Sequence, residues 1–310
     1  MTLRSRLMIA ALGLAASASL APTPAEADTI KVVATFSILG DLVKNVGGEH
    51  VEVTALVPPD GDAHTYQPTP SDARAVGAAA VMVTNGFGLE GWLPRLMGAT
   101  QFKGKLIVAS TGVKPLTMDE EEEEGTLKPA KPKRVRDPHA WQNLANGQIY
   151  VDNIVKGLAA ADPADAAAFA AAGAAYKQQL AVLDAKVREM VAAVPKEKRR
   201  VITTHDAFQY YGKAYSVQFL APLGISTENE PSAGDLARLE RQIKREHIKA
   251  LFLENVTNSQ MIAQIAKDTG GIVGPPLFSD ALSKPDEPAG TYVKMFEHNT
   301  ATLVEGMKNN

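Results

Sequence analysis

Four side chains stand out because each lies in a short loop beside a predicted strand or helix, and because their types could bind one metal ion. They are His64, His139, His205 and Asp280. Imidazole nitrogen and carboxylate oxygen suit a borderline divalent ion such as Zn²⁺, at ligand distances of about 2.0–2.2 Å. A Ca²⁺ or Mg²⁺ site would be built mostly of oxygen. If folding brings the four together, the expected chemistry is therefore borderline-metal binding.

Spacing alone makes this a weak signal. The four residues are far apart in the chain, and no C-x-x-C or H-E-x-x-H signature accompanies them. A lone histidine is more often a surface or core residue than a ligand. That ordinary role is expected for His50, His247 and His298, which lie in a predicted turn or on charged helices. The argument for the other histidines depends on the elements that position them.

The composition excludes several classes of protein. The chain has 310 residues, of which 45% are hydrophobic and 22% are charged, enough for two domains with a sizeable core. Its formal net charge of −3 favours neither a nucleic-acid binder nor a polybasic membrane-surface protein. The chain contains no cysteine, so any bound metal must be held by imidazole and carboxylate groups.

The N-terminus has the pattern of a cleaved export signal. Arg4 and Arg6 precede a short apolar run at residues 7–20, and an Ala-Glu-Ala sequence ends at Ala27. The run is too short to span a bilayer. Residues 1–27 are therefore predicted to be a signal peptide and the protein to be periplasmic. With no cysteine available, we expect no lipid anchor at the mature N-terminus.

Strands and helices alternate on either side of a helical middle region. Residues 28–143 are predicted to form an N-terminal α/β lobe, and residues 195–310 a C-terminal α/β lobe, each with a mostly parallel sheet. Residues 144–194 are predicted to be helical. Within them, an Ala-rich run at about 163–194, opened by Asp162 and Pro163, predicts one long rigid linking helix on the order of 45 Å in length.

The segment 118–136 interrupts this pattern. It carries an acidic run at 120–124, then basic residues and prolines, with almost no apolar side chains. This composition predicts a mobile, charged surface loop. The simpler interpretation is a solvated loop. The alternative is that the acidic run gathers cations near the site or docks a metal-delivering partner.

The predicted topology places the candidate ligands together. In open α/β sheets, ligands bind beyond the carboxyl ends of the strands. His64 follows the second predicted strand, His205 follows a strand of the second lobe directly, and Asp280 follows the last short strand. His139 follows the fourth strand by way of the charged segment. With candidates from both lobes, a shared site is expected in the cleft between them.

Six stretches together resemble a known family. They are DAHTY (62–66), NGFGLE (85–90), DPHAW (137–141), TTHDAF (203–208), EPS (230–232) and FSDAL (278–282). In this order they are similar to the metal-binding solute receptors of ABC importers, the TroA-like zinc and manganese family of cluster A-I. The resemblance implies two lobes joined by one long helix, with a metal between them. It also implies that His64, His139, His205 and Asp280 are the ligands.

The resemblance further bears on the metal. In this family a histidine at the position of His205 accompanies zinc, whereas manganese receptors tend to have glutamate there. The chemistry agrees, since Mn²⁺ binds more weakly and prefers oxygen donors. Against zinc, many zinc receptors of the family have a His-rich loop before the second ligand, and the segment 118–136 has no histidine. Zn²⁺ is the expected metal, with Mn²⁺ or iron as alternatives.

The expected function is a high-affinity periplasmic receptor, not an enzyme, that delivers Zn²⁺ to the membrane permease of an ABC transporter. A metallochaperone partner is left open, no nucleic acid is expected, and the protein is expected to be a monomer with small lobe movements. A zinc hydrolase is the second hypothesis, since a catalytic zinc keeps a position open for water and Glu230 or Glu254 could act as base. A surface adhesin is the third, and the lack of repeats argues against it.

Overall fold

A computed structural model describes residues 29–120, 133–228, 231–257 and 259–310. The predicted signal peptide, the acidic residues 121–124 and Glu230 lie outside these ranges. The described ranges contain two four-stranded parallel sheets and a two-stranded ribbon, surrounded by helices. None of the described helices is long and apolar enough to cross a membrane. The predicted α/β fold with two parallel sheets is confirmed.

The first sheet is built from the N-terminal part of the chain. Its strand order is β2-β1-β3-β4, and every pairing is parallel. The central strands are apolar and β-branched, as expected for strands covered on both faces. In chain order the elements are β1 (Ile30–Phe36), α1 (Ser37–Gly47), β2 (Val51–Val57), α2 (Pro70–Ala78), β3 (Val81–Thr84), α3 (Leu93–Thr100) and β4 (Lys105–Val108).

The described ends of the charged segment pair with each other, so the prediction of a loop over 118–136 is wrong for residues 118–120 and 133–136, and residues 121–132 lie outside the described ranges. Strands β5 (Thr117–Glu120) and β6 (Lys133–Arg136) form an antiparallel ribbon. In this ribbon, Asp119 is in register with Arg134 and Glu120 is in register with Lys133. The ribbon runs directly into Asp137 and therefore fixes where the DPHAW stretch begins.

The middle of the chain forms helices α4 (Leu144–Ala161) and α5 (Ala166–Ala192). With 27 residues, α5 is about 40 Å long. Its buried side chains recur every three or four residues, and it packs against α1, α4 and α9. Asp162 ends α4 instead of opening α5, which starts three residues later than Pro163, at Ala166. The predicted lobe boundaries on either side of residues 144–194 stay predictions.

The C-terminal part repeats the topology of the first sheet. Its order, β10-β9-β7-β8, again places the first strand of the sheet in the interior, between the second and the third. Ser232 caps α7 as predicted, its hydroxyl accepting from the backbone of Asp235. The elements are β7 (Arg200–Ile202), α6 (Gln209–Tyr215), β8 (Gln218–Leu220), α7 (Ala233–Glu246), β9 (Ala250–Leu251), α8 (Ser259–Thr269), β10 (Ile272–Val273) and α9 (Tyr292–Met307).

The hydrophobic core divides unequally between the two halves. The larger cluster joins the first sheet, α4, α5, α6 and α9 into one continuous core. A smaller cluster, which includes Leu239, Ile243 and Ile262, lies under α7 and α8 in the second half. The second half therefore has an outer layer with its own small core. The helices α1 and α9 are tied together by Asp41, which accepts the backbone N–H of Tyr292 at 2.9 Å.

Ser37 has a different role from the one that its position predicts. The sequence predicts that it caps α1, but that helix is preceded by Phe36 and has no side-chain cap. The Ser37 hydroxyl instead accepts the backbone N–H of Leu282 at 3.0 Å. It thereby connects the start of α1 with the loop that follows Asp280. The contact is buried and joins residues 245 positions apart, so no local pattern could have indicated it.

Candidate metal centre

His64 is presented by the long loop after β2. The carboxylate of Asp62 accepts the backbone N–H of His64 at 2.8 Å and that of Thr65 at 3.4 Å, which folds the chain into a tight turn. The indole of Trp92 donates to the carbonyl of Ala63 at 2.9 Å. These contacts hold the backbone on both sides of the Cα atom and aim the imidazole into the cleft.

His139 is held by the carboxylate two residues before it. Oδ1 of Asp137 accepts both the backbone N–H of His139, at 2.9 Å, and ring atom Nδ1, at 2.8 Å. Because Nδ1 is used in this contact, Nε2 is the nitrogen left to face the centre. The preceding carbonyl, of Pro138, accepts from Asn85 at 2.9 Å. This role of Asp137 was missed from the sequence, although its spacing in Asp-Pro-His is a usable signal.

His205 directly follows β7 and is supported by Glu254, which follows β9. Oε1 of Glu254 accepts the backbone N–H groups of Thr204 and His205 at 2.8 and 2.9 Å. Its Oε2 approaches Nδ1 of His205 at 2.6 Å. The carboxylate thus joins the ends of two neighbouring strands and fixes the orientation of the ring. Glu254 is considered from the sequence only as a hydrolase base, and its supporting role was missed.

Asp280 reaches the centre from the loop after β10. Trp141 and Gln142 both donate to the carbonyl of Ser279, at 2.9 and 2.8 Å. Two of the candidate ligands, His64 and Asp280, are therefore each preceded by a carbonyl that accepts from an indole. A hydrogen bond from an indole to the carbonyl before the ligand therefore occurs once in each half of the cleft.

All four side chains predicted as ligands meet at one point. One donor atom from each of them lies within 4.8 Å of all the others. Oδ2 of Asp280 is 3.3 Å from Nε2 of His64 and 3.1 Å from Nε2 of His205, and Oδ1 is 3.5 Å from Nε2 of His139. Nε2 of His64 and Nε2 of His139 are 3.2 Å apart. Four atoms placed tetrahedrally at about 2.05 Å from one ion would be about 3.4 Å apart.

The polar atoms of the centre also lack partners that a protein interior normally supplies. Among the described residues, Nε2 of His205 and both carboxylate oxygens of Asp280 are buried and form no aligned hydrogen bond. His139, His205 and Asp280 have no exposed surface, whereas His64 retains 7%. Buried polar groups are rarely left unsatisfied. A divalent cation at this point would satisfy all of them at once.

Opposite charges shift the protonation of the centre. Burial alone would lower the pKa of His205, but the carboxylates of Glu254 and Asp280 raise that pKa well above its ordinary value. Burial alone would raise the pKa of Asp280, but His205 and His139 hold it well below its ordinary value. Without a cation, the two carboxylates therefore favour the doubly protonated, charged form of His205. A metal that binds Nε2 of His205 must displace the proton on that nitrogen.

The centre opens to solvent on the His64 side. A cavity of about 540 Å³, the mouth cavity, lies there. Its lining residues come from both halves of the chain and are His64, Phe87, Gly88, Leu89, Gly91, Arg134, Val135, Arg136, Pro138, Ile225, Ser226 and Glu228. The ligand with residual exposure is thus the one that borders the opening.

A family model matches nearly the whole described chain. The family described as zinc-uptake complex component A, periplasmic (ZnuA), matches residues 32–306. The chain belongs to this family. This confirms the resemblance stated from the sequence motifs, and the chain is accordingly a substrate-binding protein of a metal ABC transporter. Its cargo is a divalent metal ion.

Two similar relatives of this family member are named for manganese. The chain is 32% identical over 285 residues to the manganese-binding lipoprotein MntA of Halalkalibacterium halodurans, covering 92% of this chain and 91% of that one. It is 30% identical over 301 residues to the manganese ABC transporter substrate-binding lipoprotein PsaA of Streptococcus pneumoniae, covering 95% and 94%. These names agree on metal transport and favour manganese in the relatives.

Solved structures give the same two-lobed fold. The periplasmic zinc-binding protein TroA of Treponema pallidum superposes with a TM-score of 0.80 at 28% identity, covering 90% of this chain and 99% of that one. A manganese-bound periplasmic metal-binding protein of Candidatus Liberibacter asiaticus superposes with a TM-score of 0.78 at 28% identity, covering 90% and 100%. Structures of this ZnuA-family fold therefore include both a zinc-binding and a manganese-bound protein.

Proposed function

We propose that this chain is a periplasmic receptor that captures Zn²⁺ with His64, His139, His205 and Asp280 and delivers it to the membrane permease of its ABC transporter. The observation that carries the proposal is the convergence of four donor atoms from four separate loops within 4.8 Å. Such a set, with both halves contributing, couples metal binding to the closure of the cleft. The protein is proposed to act as a monomer, and loading by a metallochaperone stays open.

Zinc is proposed because of the donor set. Three imidazole nitrogens and one carboxylate oxygen match the preferred ligands and tetrahedral number of Zn²⁺. Mn²⁺ binds such sites more weakly and favours oxygen donors. The competing proposal, a manganese receptor, is supported by the names of MntA and PsaA. His205→Glu separates the two, since an added carboxylate should move selectivity towards Mn²⁺.

A receptor is proposed in preference to a zinc hydrolase. A catalytic zinc usually has three protein ligands and one open position for water, whereas four protein side chains converge here. Glu254, the described candidate base, is already engaged with His205 and two backbone N–H groups. These contacts commit it to positioning the imidazole.

The proposed location is the periplasm after removal of residues 1–27, without a lipid anchor. The proposal rests on the export pattern and on the lack of any cysteine in the sequence. Several relatives are named as lipoproteins, so this point needs its own test. Fractionation of cells expressing the full chain should place the protein in the soluble periplasmic fraction. Recovery in the membrane fraction would contradict the proposal.

The direct test of the function measures the bound metal. The protein is purified from cells without added metal, and its metal content is determined by mass spectrometry beside that of His205→Ala. Equilibrium competition between Zn²⁺ and Mn²⁺ then gives the selectivity. We expect one zinc per chain, lost in the variant. Manganese in the wild-type protein would favour the second candidate, and unchanged zinc in the variant would reject the site.

A further inference from the structure

One carboxylate links the two sides of the cleft directly beside the metal centre. Oδ1 of Asp62 accepts the backbone N–H of His64 at 2.8 Å. Its other oxygen, Oδ2, accepts the hydroxyl of Thr227 at 2.6 Å. The partners are 165 residues apart, one in the loop after β2 and the other in the second half. A single side chain thus connects the backbone of one candidate ligand to a loop on the opposite side.

That opposite loop, residues 225–228, is held by few contacts. Among the described residues, its hydrogen bonds are a local one, from the backbone of Glu228 to the Ser226 hydroxyl, and the one from Thr227 to Asp62. The preceding residue, Gly224, is anchored because its carbonyl accepts from the backbone of Asp206. The loop 225–228 is therefore attached at its start and fastened across the cleft by Thr227.

The same loop borders the route to the metal. Ile225, Ser226 and Glu228 line the mouth cavity together with His64. The other three candidate ligands are fully buried, and buried contacts support each of them. The path between the centre and solvent therefore runs past His64 and the loop that Thr227 fastens.

The turn that carries His64 is also attached to the second half through Asp60. This second attachment indicates whether the turn or the loop 225–228 moves when the bond between Asp62 and Thr227 breaks. The backbone N–H of Asp60 donates to the carbonyl of Leu282 at 2.9 Å, and Asn255 donates to the Asp60 carboxylate at 3.0 Å. Breaking the bond between Asp62 and Thr227 would leave this attachment intact. The His64 turn would stay in place, and the loop 225–228 would be released.

We infer that the hydrogen bond between Thr227 and Asp62 controls the rate at which the metal leaves the centre. While it is formed, the loop 225–228 lies beside the His64 turn, and Ile225, Ser226 and Glu228 form one wall of the mouth cavity. When it breaks, the loop moves away and widens the opening beside His64. Thr227 and Asp62 are thus positioning residues that act on the metal through access. The inference rests on the proposed binding of a divalent metal by His64 and its partners.

The test measures Zn²⁺ dissociation by stopped flow, with an excess of a chromophoric chelator. Thr227→Val removes the hydroxyl and keeps the shape, Thr227→Ser retains a hydroxyl, and Thr269→Val is the matched control. Thr269 donates its hydroxyl to the Ile265 carbonyl within α8. We expect Thr227→Val to release zinc about five- to tenfold faster, as for loss of one typical hydrogen bond. Both other variants should stay within about twofold of the wild type.

A double-mutant cycle shows whether the two residues act through one bond. If they do, Thr227→Val should add nothing to the dissociation rate of Asp62→Ala. Because an effect on access applies to entry and exit alike, the association rate of Thr227→Val should rise by a similar factor and its affinity for zinc should change little. Additive effects, or an unchanged rate in Thr227→Val with one zinc still bound, would overturn the inference while leaving the proposed function intact. Failure of the wild-type protein to bind Zn²⁺ would instead reject the proposed function.

Discussion

The two halves of the molecule share one strand order but differ in how they hold the centre. The central strand of the first sheet, β1, has seven residues, whereas its counterpart β7 has three. In the first half, a long loop carries His64 and is fixed by hydrogen bonds to its backbone. In the second half, the short strands β7 and β9 are joined at their ends by the buried carboxylate of Glu254. In the second half, hydrogen bonds to the Glu254 carboxylate therefore add to the few backbone hydrogen bonds between the short strands.

The four candidate ligands also divide into a fixed part of the centre and an accessible one. His139, His205 and Asp280 are fully buried, and each is supported by a buried partner. His64 alone among the four retains exposed surface and borders the mouth cavity. We expect the first three to set the affinity for the metal and His64 to set its exchange with solvent.

The largest effect should come from removing a fixed ligand. His205→Ala leaves Glu254 and Asp280 without their shared partner in a buried site, and zinc affinity should fall by about a thousandfold. His64→Ala should cost about a hundredfold, because water from the mouth cavity can take the open position. Isothermal titration with competing chelators measures both. Equal losses would contradict the division into fixed and accessible ligands.

The supporting carboxylates should have the next largest effect. Glu254→Gln and Asp137→Asn each replace a charged partner of a ligating imidazole, and such changes typically weaken metal binding by about 10–100-fold. Zinc titration of the two variants is compared with Glu297→Gln, whose parent side chain forms an exposed pair with Lys186. Wild-type affinity in both variants would show that the imidazoles are oriented by packing alone.

The affinity for zinc should fall as the pH falls. The pKa of His205 is raised well above its ordinary value, so this side chain holds a proton that the metal must displace. Below that pKa, the affinity should drop about tenfold per pH unit for one displaced proton. Chelator-competition titrations across pH 5–9 measure the slope. Glu254→Gln lowers the pKa of His205 and should flatten the profile, and an identical slope in both proteins would contradict this cause.

In the metal-free protein, the same pKa shifts should give the free energy of unfolding a maximum at intermediate pH. The raised pKa of His205 gives stability that is present below about pH 6.5 and is lost as the pH rises through the folded pKa. The lowered pKa of Asp280 gives stability that is present above about pH 3.8 and is lost as the pH falls through the folded pKa. Without zinc, the temperature of thermal unfolding should therefore be highest between about pH 3.8 and about pH 6.5. With zinc, stability should rise with pH.

The smallest effects should come from the two indoles. Trp92→Phe removes the described donor to the Ala63 carbonyl and should weaken zinc binding about threefold. Trp141→Phe leaves Gln142 donating to the Ser279 carbonyl, so its affinity should stay within about twofold. Because Trp141 is fully buried, its variant should instead lose more thermal stability. The reverse order of affinities would contradict the roles given to these carbonyls.

The sequence predicts the convergence of the four side chains because each follows a strand end, and parallel strands share one carboxyl edge. The sheets, the long helix and the family are confirmed for the same reason: they depend on local periodicity and on motifs in order. Glu254 follows β9 at that same edge, beside His205 and Asp280, so the topological rule that selected the ligands could also have selected it. Asp137 could have been found from its spacing to His139.

The remaining differences depend on contacts that no local pattern contains. Ser37 and Leu282 meet across 245 positions, so the hydroxyl that looks like a helix cap is used elsewhere. Helix α5 starts at Ala166 instead of Pro163, because Asp162 ends α4 and Asp165 is the residue that precedes α5. The ribbon of β5 and β6 pairs segments of opposite charge that have few apolar side chains. The hydrogen bond between Asp62 and Thr227 is likewise tertiary.

The central claim is that three imidazoles and one carboxylate bind a single metal ion. X-ray absorption spectroscopy of the zinc-loaded protein tests it most directly, with His205→Ala as the matched sample. The account predicts four nearest neighbours at about 2.0–2.2 Å, with the outer-shell scattering of three imidazoles, reduced to two in the variant. A shell of mostly water oxygen, or an unchanged imidazole count in the variant, would contradict it.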